Sequence, residues 1–379
     1  MKKVILMPDS FKGTMSSSEI CAIMKERILE HFPDCEIDSI PVADGGEGTV
    51  DCFLEAMGGE KITLAAKGPF MEDIQSFYAL VEGGKTAIIE MAATASLPMV
   101  LGRENPCLTT TYGVGQLIRD AVARGCKKIV VGLGGSCTND MGVGAAAGAG
   151  AIFRDADGNQ FVPTGSTLSK IASIDISAVR ELLSGVEIVA MCDIDNPLYG
   201  PSGAAYVFSP QKGADESMVK LLDENLKLCS ETVKKELGVD VSSLAGAGAA
   251  GGMGAGMVAF FGATLKAGIE TVLDTVNFES IAKDADFIFT GEGKIDNQSL
   301  RGKVVIGIAQ RAALIPVPVI AVVGDIGNDM EPAYDMGVSA IYSINRVAVE
   351  FPKAKLRSKS DLSLTVDTIM RTLKLGMGR

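Results

Sequence analysis

Hydrophobic positions along the chain fall into two rhythms: short uninterrupted apolar runs, and longer stretches with apolar residues at helical spacing. Residues 4–7 (VILM) form the first run, the pattern of a strand buried on both faces. After the loop PDSFKG, Ser16 and Glu19 make a capping-box pair. Ile20, Met24, Ile28 and Phe32 then recur at helical spacing until Pro33. Residues 36–42 predict a second strand, and the polar loop ADGGEGT leads into a helix through Met57. From about residue 61 the texture changes. Strands over 62–65, 75–81 and 86–90, separated by Gly-Pro and Gly-Gly turns, predict meander-like pairing and a new domain.

A helix to Ala123 is expected after Thr109, Thr110 and Thr111, followed by the stretch KKIVVGLGGSCTNDMGVGAAAGAG at 127–150. Here a β-branched strand meets a glycine turn carrying Ser136, Thr138, Asn139 and Asp140, with a helix behind it. Glycine lets backbone N–H groups approach a ligand and a helix N-terminus adds partial positive charge, so the pattern predicts an anion site. The turn DADGN at 155–159 begins like a calcium loop but lacks the closing glutamate, and a hairpin is expected there. Residues 187–191 predict a buried strand ending in CDIDNP, and 216–237 a long amphipathic helix whose apolar stripe faces a core. G-x-G-x-x-G occurs at 246–251, but the residues before it make a poor strand, so a glycine-rich turn into a closely packed helix is expected rather than a dinucleotide site. Strands at 286–290, 317–323 and 340–344, with a helix through Ala313, restore the strand-loop-helix rhythm near the end. Such units at both ends, with an irregular section between, predict an α/β protein. A doubly wound, Rossmann-like domain is formed by both chain ends (1–62 and 283–379), with a second inserted α/β domain (63–282).

Composition narrows the function. At 379 residues, 47% hydrophobic and 22% charged, the chain can bury a large core, and two domains are the prior. The net charge of −12 argues against a general nucleic-acid or anionic-membrane surface. No apolar stretch reaches membrane-spanning length, and the apolar run near the N-terminus is too short for a signal peptide. Eight cysteines show no C-x-x-C spacing, and His31, the one histidine, stands at a helix end. Zinc and a Cys/His nucleophile are therefore disfavoured, and a reduced, cytoplasmic protein is expected. The P-loop, the protein-kinase loops and the G-x-S-x-G elbow are absent. What remains are loops bearing acids and lysines: Asp9 with Lys12, Asp44 with Glu47, Asn139 with Asp140, Asp193 with Asp195, and Glu292, Lys294 and Asp296. Phosphoryl transfer suits this set, because it needs cations on phosphate oxygens, carboxylates for Mg²⁺ and one carboxylate to orient the attacking hydroxyl.

The segments MPDSFKGTMSSSE, PVADGGEGTV, TTTYGVGQLI, VGLGGSCTNDMGVG, CDIDNPLYGPSGAAYVFSPQKGA, AGAGAAGGMGAG and TGEGKIDNQSLRGK closely resemble, in order, the bacterial glycerate kinase family of the glyoxylate and sugar-diacid pathways. The resemblance implies ATP- and Mg²⁺-dependent phosphorylation of D-glycerate, usually at the 2-hydroxyl, by two α/β domains with the active site in the cleft between them. Carried over by position, it implies catalytic roles for Asp193, Lys12 and Lys294. Substrate or phosphate binding falls to Asp9, Ser10, Gly134, Gly135, Ser136, Asn139, Asp195, Asn196, Lys212, Gly291 and Glu292, and magnesium to Asp44 and Asp296. Asp195 is the alternative to Asp193. The chain departs from the family at Cys137, more often alanine, and at Met141, usually glycine. Phosphorylation at the 3-hydroxyl and a hydroxy-acid sensor without turnover are the alternatives, and a homodimer is compatible with the sequence.

Overall fold

The structure, a computed structural model, describes residues 1–43 and 45–376, so Asp44, expected to hold magnesium, lies outside the described residues. In chain order the strands are β1 (Lys3–Pro8), β2 (Glu36–Ser39), β3 (Glu60–Lys67), β4 (Asp73–Val81), β5 (Thr86–Glu90) and β6 (Lys128–Gly132). There follow β7 (Ile152–Arg154), β8 (Gln160–Phe161), β9 (Ser173–Asp175), β10 (Glu187–Met191) and β11 (Thr264–Lys266). The last are β12 (Phe287–Gly291), β13 (Lys294–Ile295), β14 (Val319–Val323), β15 (Asp325–Ile326) and β16 (Val338–Ser343). The chain divides into two compact units, Met1–Ala43 with Ala267–Arg379, and Asp44–Lys266.

The first unit is a five-stranded sheet of order β16-β14-β12-β1-β2, parallel throughout. Counted within the unit this is the 2-1-3-4-5 order of flavodoxin-like folds, not the 3-2-1-4-5-6 order of dinucleotide-binding ones. Strand order reverses between β1 and β12, where Pro8 and Gly291 stand opposite each other. Both faces are covered, as the apolar runs require. Val4, Leu6, Phe289 and Val322 pack with Ile20, Met24 and Ile28 of the helix Ser17–His31 and with Leu362, Val366 and Ile369 of the helix Ser358–Gly376. The helix Val304–Ala313 contacts β12, β14 and β16. Ser16 and Glu19 form the expected capping box. His31 Nε2 lies 2.7 Å from Asp367 Oδ1, tying the first helix to the last.

The second unit holds a six-stranded sheet of order β11-β10-β6-β5-β4-β3. The β3-β4-β5 section is the expected antiparallel meander, and β5, β6, β10 and β11 run parallel. The units change over near residues 43 and 267 rather than at 62 and 282, because β3 is hydrogen-bonded along its whole length in this sheet and the helix Gly268–Thr275 packs on Val304–Ala313. Residues 155–159 make the expected hairpin between β7 and β8, with Asp155 Oδ1 accepting from the backbone N–H of Asp157 and Asn159. Helices Tyr112–Ala123 and Val143–Ala149 meet backbone to backbone: a Cβ on Gly115 would stand 1.9 Å from the Ala145 carbonyl, so only glycine fits. None of the eight cysteines is in a disulfide, and no helix among the described residues is long and apolar enough to cross a membrane.

Candidate functional site

In the second unit, β6 delivers the turn 133–142 at its carboxyl end. Gly134 N–H donates to the Gly45 carbonyl at 2.9 Å, and a Cβ on Gly134 would come within 2.5 Å of Gly46 Cα, so the two loops lie flush. Ser136 and Thr138 then meet Lys212, which the short turn Pro210–Lys212 carries inward. Lys212 is 2% exposed, and its Nζ donates to Ser136 Oγ and to the Thr138 carbonyl, both at 2.7 Å. Burial of the ammonium lowers its pKa to about 8, with Cys137 and Asp140 opposing the shift. Gly134, Gly135, Ser136, Gln211, Lys212 and Asp193 line a cavity of about 230 Å³ whose remaining walls include Leu97, Leu133, Met191 and Ala250. The expected turn residues Gly134, Gly135 and Ser136 are thus brought together with Lys212 and with Asp193, which follows β10.

Other expected residues take different positions. Asn139 is fully buried, does not line the cavity, and leaves both side-chain polar atoms without a hydrogen-bond partner, as do Thr138 Oγ1 and Ser209 Oγ. Asp195 is exposed and does not line the cavity, while Asn196 Nδ2 donates to the Ser202 carbonyl and fixes the loop. The helix N-terminus behind the turn does not serve as the anion site the pattern predicted. Asp140, fully buried, accepts there from the N–H of Gly142 and Gly144, and also from the N–H and hydroxyl of Thr111. Desolvation raises its pKa and those bonds oppose the rise. Sequence reasoning grouped Asp140 with ligand residues; the signal for its structural role was the buried polar run Thr109 to Thr111, of which Thr110 and Thr111 bond to Asp140 and Thr109 to the Cys137 carbonyl. Met141 has φ 52°, a left-handed conformation that glycine adopts without strain. Residues 246–251 follow a turn rather than a strand, and Gly251 packs against the Thr138 carbonyl, where a Cβ would lie at 2.0 Å. They therefore brace the anion turn from beneath.

In the first unit, Asp9 and Ser10 follow β1, with Ser10 N–H donating to Asp9 Oδ1 at 2.6 Å. Gly291 ends β12, and its carbonyl accepts from Asp9 N–H at 2.8 Å. Glu292 is 7% exposed and its Oε1 has no hydrogen-bond partner. Burial, aided by Asp9 and Asp296, raises its pKa to about 7 against the opposing pull of Ser299 and Lys303. Asp296 Oδ1 accepts from Gln298 N–H, so part of this carboxylate shapes its own turn. Lys12 and Lys294 are exposed, and Lys294 Nζ lies 3.9 Å from Asp325. Among the described residues, no three His, Cys, Asp or Glu side chains gather closely enough to hold a metal unaided.

These arrangements can bind an anion around Lys212 and place negative charge at the β1 and β12 strand ends. The model of the Glycerate kinase family matches residues 4–374. A glycerate kinase of Bacillus cereus is 42% identical over 98% of each chain. The glycerate 2-kinase of Escherichia coli K12 is 40% identical over 99% of each. A crystal structure from Salmonella typhimurium LT2, provisionally assigned as glycerate kinase 2, superposes with a TM-score of 0.88 at 39% identity over the whole of both chains.

Proposed function

Because this chain belongs to the glycerate kinase family, we propose that it transfers a phosphoryl group from ATP to the 2-hydroxyl of D-glycerate, giving 2-phosphoglycerate and ADP. The observation that carries the assignment of the acceptor is the buried Lys212 at the cavity of the second unit. Its ammonium meets only neutral oxygens through hydrogen bonds, and an incoming carboxylate would supply the missing negative partner. Ser136 and the backbone of Gly134 and Gly135 complete the cradle for the glycerate carboxylate. Asp193, on the same cavity, accepts the proton of the attacking hydroxyl. The name of the Escherichia coli relative supports the 2-position.

The first unit takes the donor. Lys12 and Lys294 steady phosphate oxygens, while Asp9, Glu292 and Asp296 supply carboxylate oxygen. The partnerless Glu292 Oε1 fits a hard cation such as Mg²⁺, which would be held by one or two of these carboxylates. Bound Mg²⁺ would neutralise charge on the transferring phosphoryl group. A coupled ADP-release assay with ATP, Mg²⁺ and D-glycerate, followed by NMR of the product, tests the reaction. Glycerate-dependent ADP release with a 2-phosphorylated product is expected. A 3-phosphorylated product would overturn the position, and no ADP release would leave a hydroxy-acid binding protein.

A further inference from the structure

A second crevice, of about 340 Å³, opens directly beyond the carboxyl ends of β1, β12, β14 and β16 in the first unit. Its size falls within the range of small-molecule sites. Phe11 and Lys12 come from the loop after β1, Asp325 from the segment after β14, and Ile344, Val349 and Phe351 from the segment after β16. In open parallel sheets ligands bind at this edge, next to the point where strand order reverses, and here that point is the β1/β12 junction.

The apolar side chains of the crevice are not part of the core. Phe351 is 63% exposed and Val349 43%, and Val347 and Leu356 are exposed beside them. A folded chain does not ordinarily leave such a group of apolar side chains in water around one concavity without a ligand to cover it. Lys12, together with Lys355, adds positive charge to the lining, while Asp325 adds a carboxylate. An aromatic edge, a carboxylate and lysines in one crevice match the three parts of a nucleotide: a flat base, vicinal ribose hydroxyls and a polyphosphate.

We infer that this crevice binds the purine nucleoside half of the phosphoryl donor. The base lies against Phe351 and Val349 with Phe11 and Ile344 behind it, Asp325 accepts from the ribose hydroxyls, and Lys12 meets the phosphate chain. The inference rests on the proposed use of ATP and adds where its nucleoside is held.

Isothermal titration of the full chain with ADP and with inorganic tripolyphosphate, for wild type, Phe351→Ala and Val349→Ser, tests it. Both substitutions are at exposed positions, so neither removes core packing. ADP binding should weaken about tenfold or more in each variant, as expected for loss of a base-stacking surface. Tripolyphosphate affinity and the KM for glycerate should stay unchanged. Unchanged ADP affinity in both variants would overturn the assignment, as would equal weakening of ADP and tripolyphosphate. So would conversion of a dimer to a monomer with ADP affinity intact, because the apolar group would then cover a second copy of the chain. The outcomes separate this inference from the reaction itself. Glycerate phosphorylation with an unaltered KM for ATP in Phe351→Ala removes the crevice and keeps the kinase. ADP binding that depends on Phe351, without phosphorylation, keeps the crevice and removes the kinase.

Discussion

Among the buried ionisable side chains, Lys212 in the second unit and Glu292 in the first are hydrogen-bonded to no group of opposite charge, and the two are of opposite sign. Lys212 in the second unit bonds to neutral oxygens, and its pKa falls to about 8; Glu292 in the first leaves Oε1 bare, and its pKa rises to about 7. Each displacement has the same main cause, loss of water, and moves the group toward its neutral form. A fold assembled for stability alone would have placed apolar residues of similar volume at both positions. What the pair teaches is a contrast of sign: a buried ammonium bonded to neutral oxygens in one unit, and a buried carboxylate with one unsatisfied oxygen in the other, the two features on which the proposed function rests.

The largest test of this contrast concerns which pocket performs the proton chemistry. If Asp193 orients the glycerate hydroxyl, Asp193→Asn should lower kcat by about 10²- to 10⁴-fold with little change in melting temperature, since its side chain is exposed. Near-normal turnover in a folded variant would move that role elsewhere. A second test uses pH and addresses Glu292. Its folded pKa lies above the ordinary value of 4.5, so its contribution to stability is fully present below about pH 4.5 and is lost as pH rises toward about 7. Glu292→Gln should remove that loss. The stability difference between variant and wild type should grow across this window by on the order of 2–3 kcal/mol, measured by urea denaturation at a series of pH values. A flat difference would mean that Glu292 does not titrate there. The smallest effect separates backbone strain from packing at the anion turn. Met141→Gly relieves a left-handed backbone worth about 1 kcal/mol but deletes a fully buried side chain worth about 2–5 kcal/mol. Packing should win, with a net loss of about 1–4 kcal/mol. A stabilised variant would mean that the turn is held under strain in this chain.

Much of the fold was legible because local signals agreed. The helix Glu216–Leu237 matches its expected bounds, with Asp215 capping its start and Gly238 closing its end. The apolar runs at β1, β10, β12 and β14 were visible because those strands are buried on both faces. Strand order was not legible: parallel neighbours such as β1 and β12 are separated by most of the chain, and nothing local records the pairing. The last helix, Ser358–Gly376, escaped notice because its apolar stripe of Leu362, Val366 and Ile369 is set among charged residues. In the site, Lys212 came only from family resemblance, while the gathering of Gly134, Gly135 and Ser136 in one turn was readable from type and spacing and Asp193 from its place after a buried strand. The difference between Asp140 and Asp193 was not. Both are acids in polar loops, yet one is sealed against remote backbone N–H groups while the other reaches a cavity, and only tertiary packing separates them.

The central claim is that the buried ammonium of Lys212 recognises the acceptor's carboxylate. Isothermal titration of D-glycerate into wild type and Lys212→Met at pH 7, with folding checked by circular dichroism, tests it most directly. The account predicts at least about a hundredfold loss of affinity, as for removal of one partner of a buried charge-assisted pair. It also predicts that wild-type affinity declines as pH rises past about 8, where Lys212 gives up its proton. A folded Lys212→Met protein that binds glycerate as tightly as wild type would contradict it.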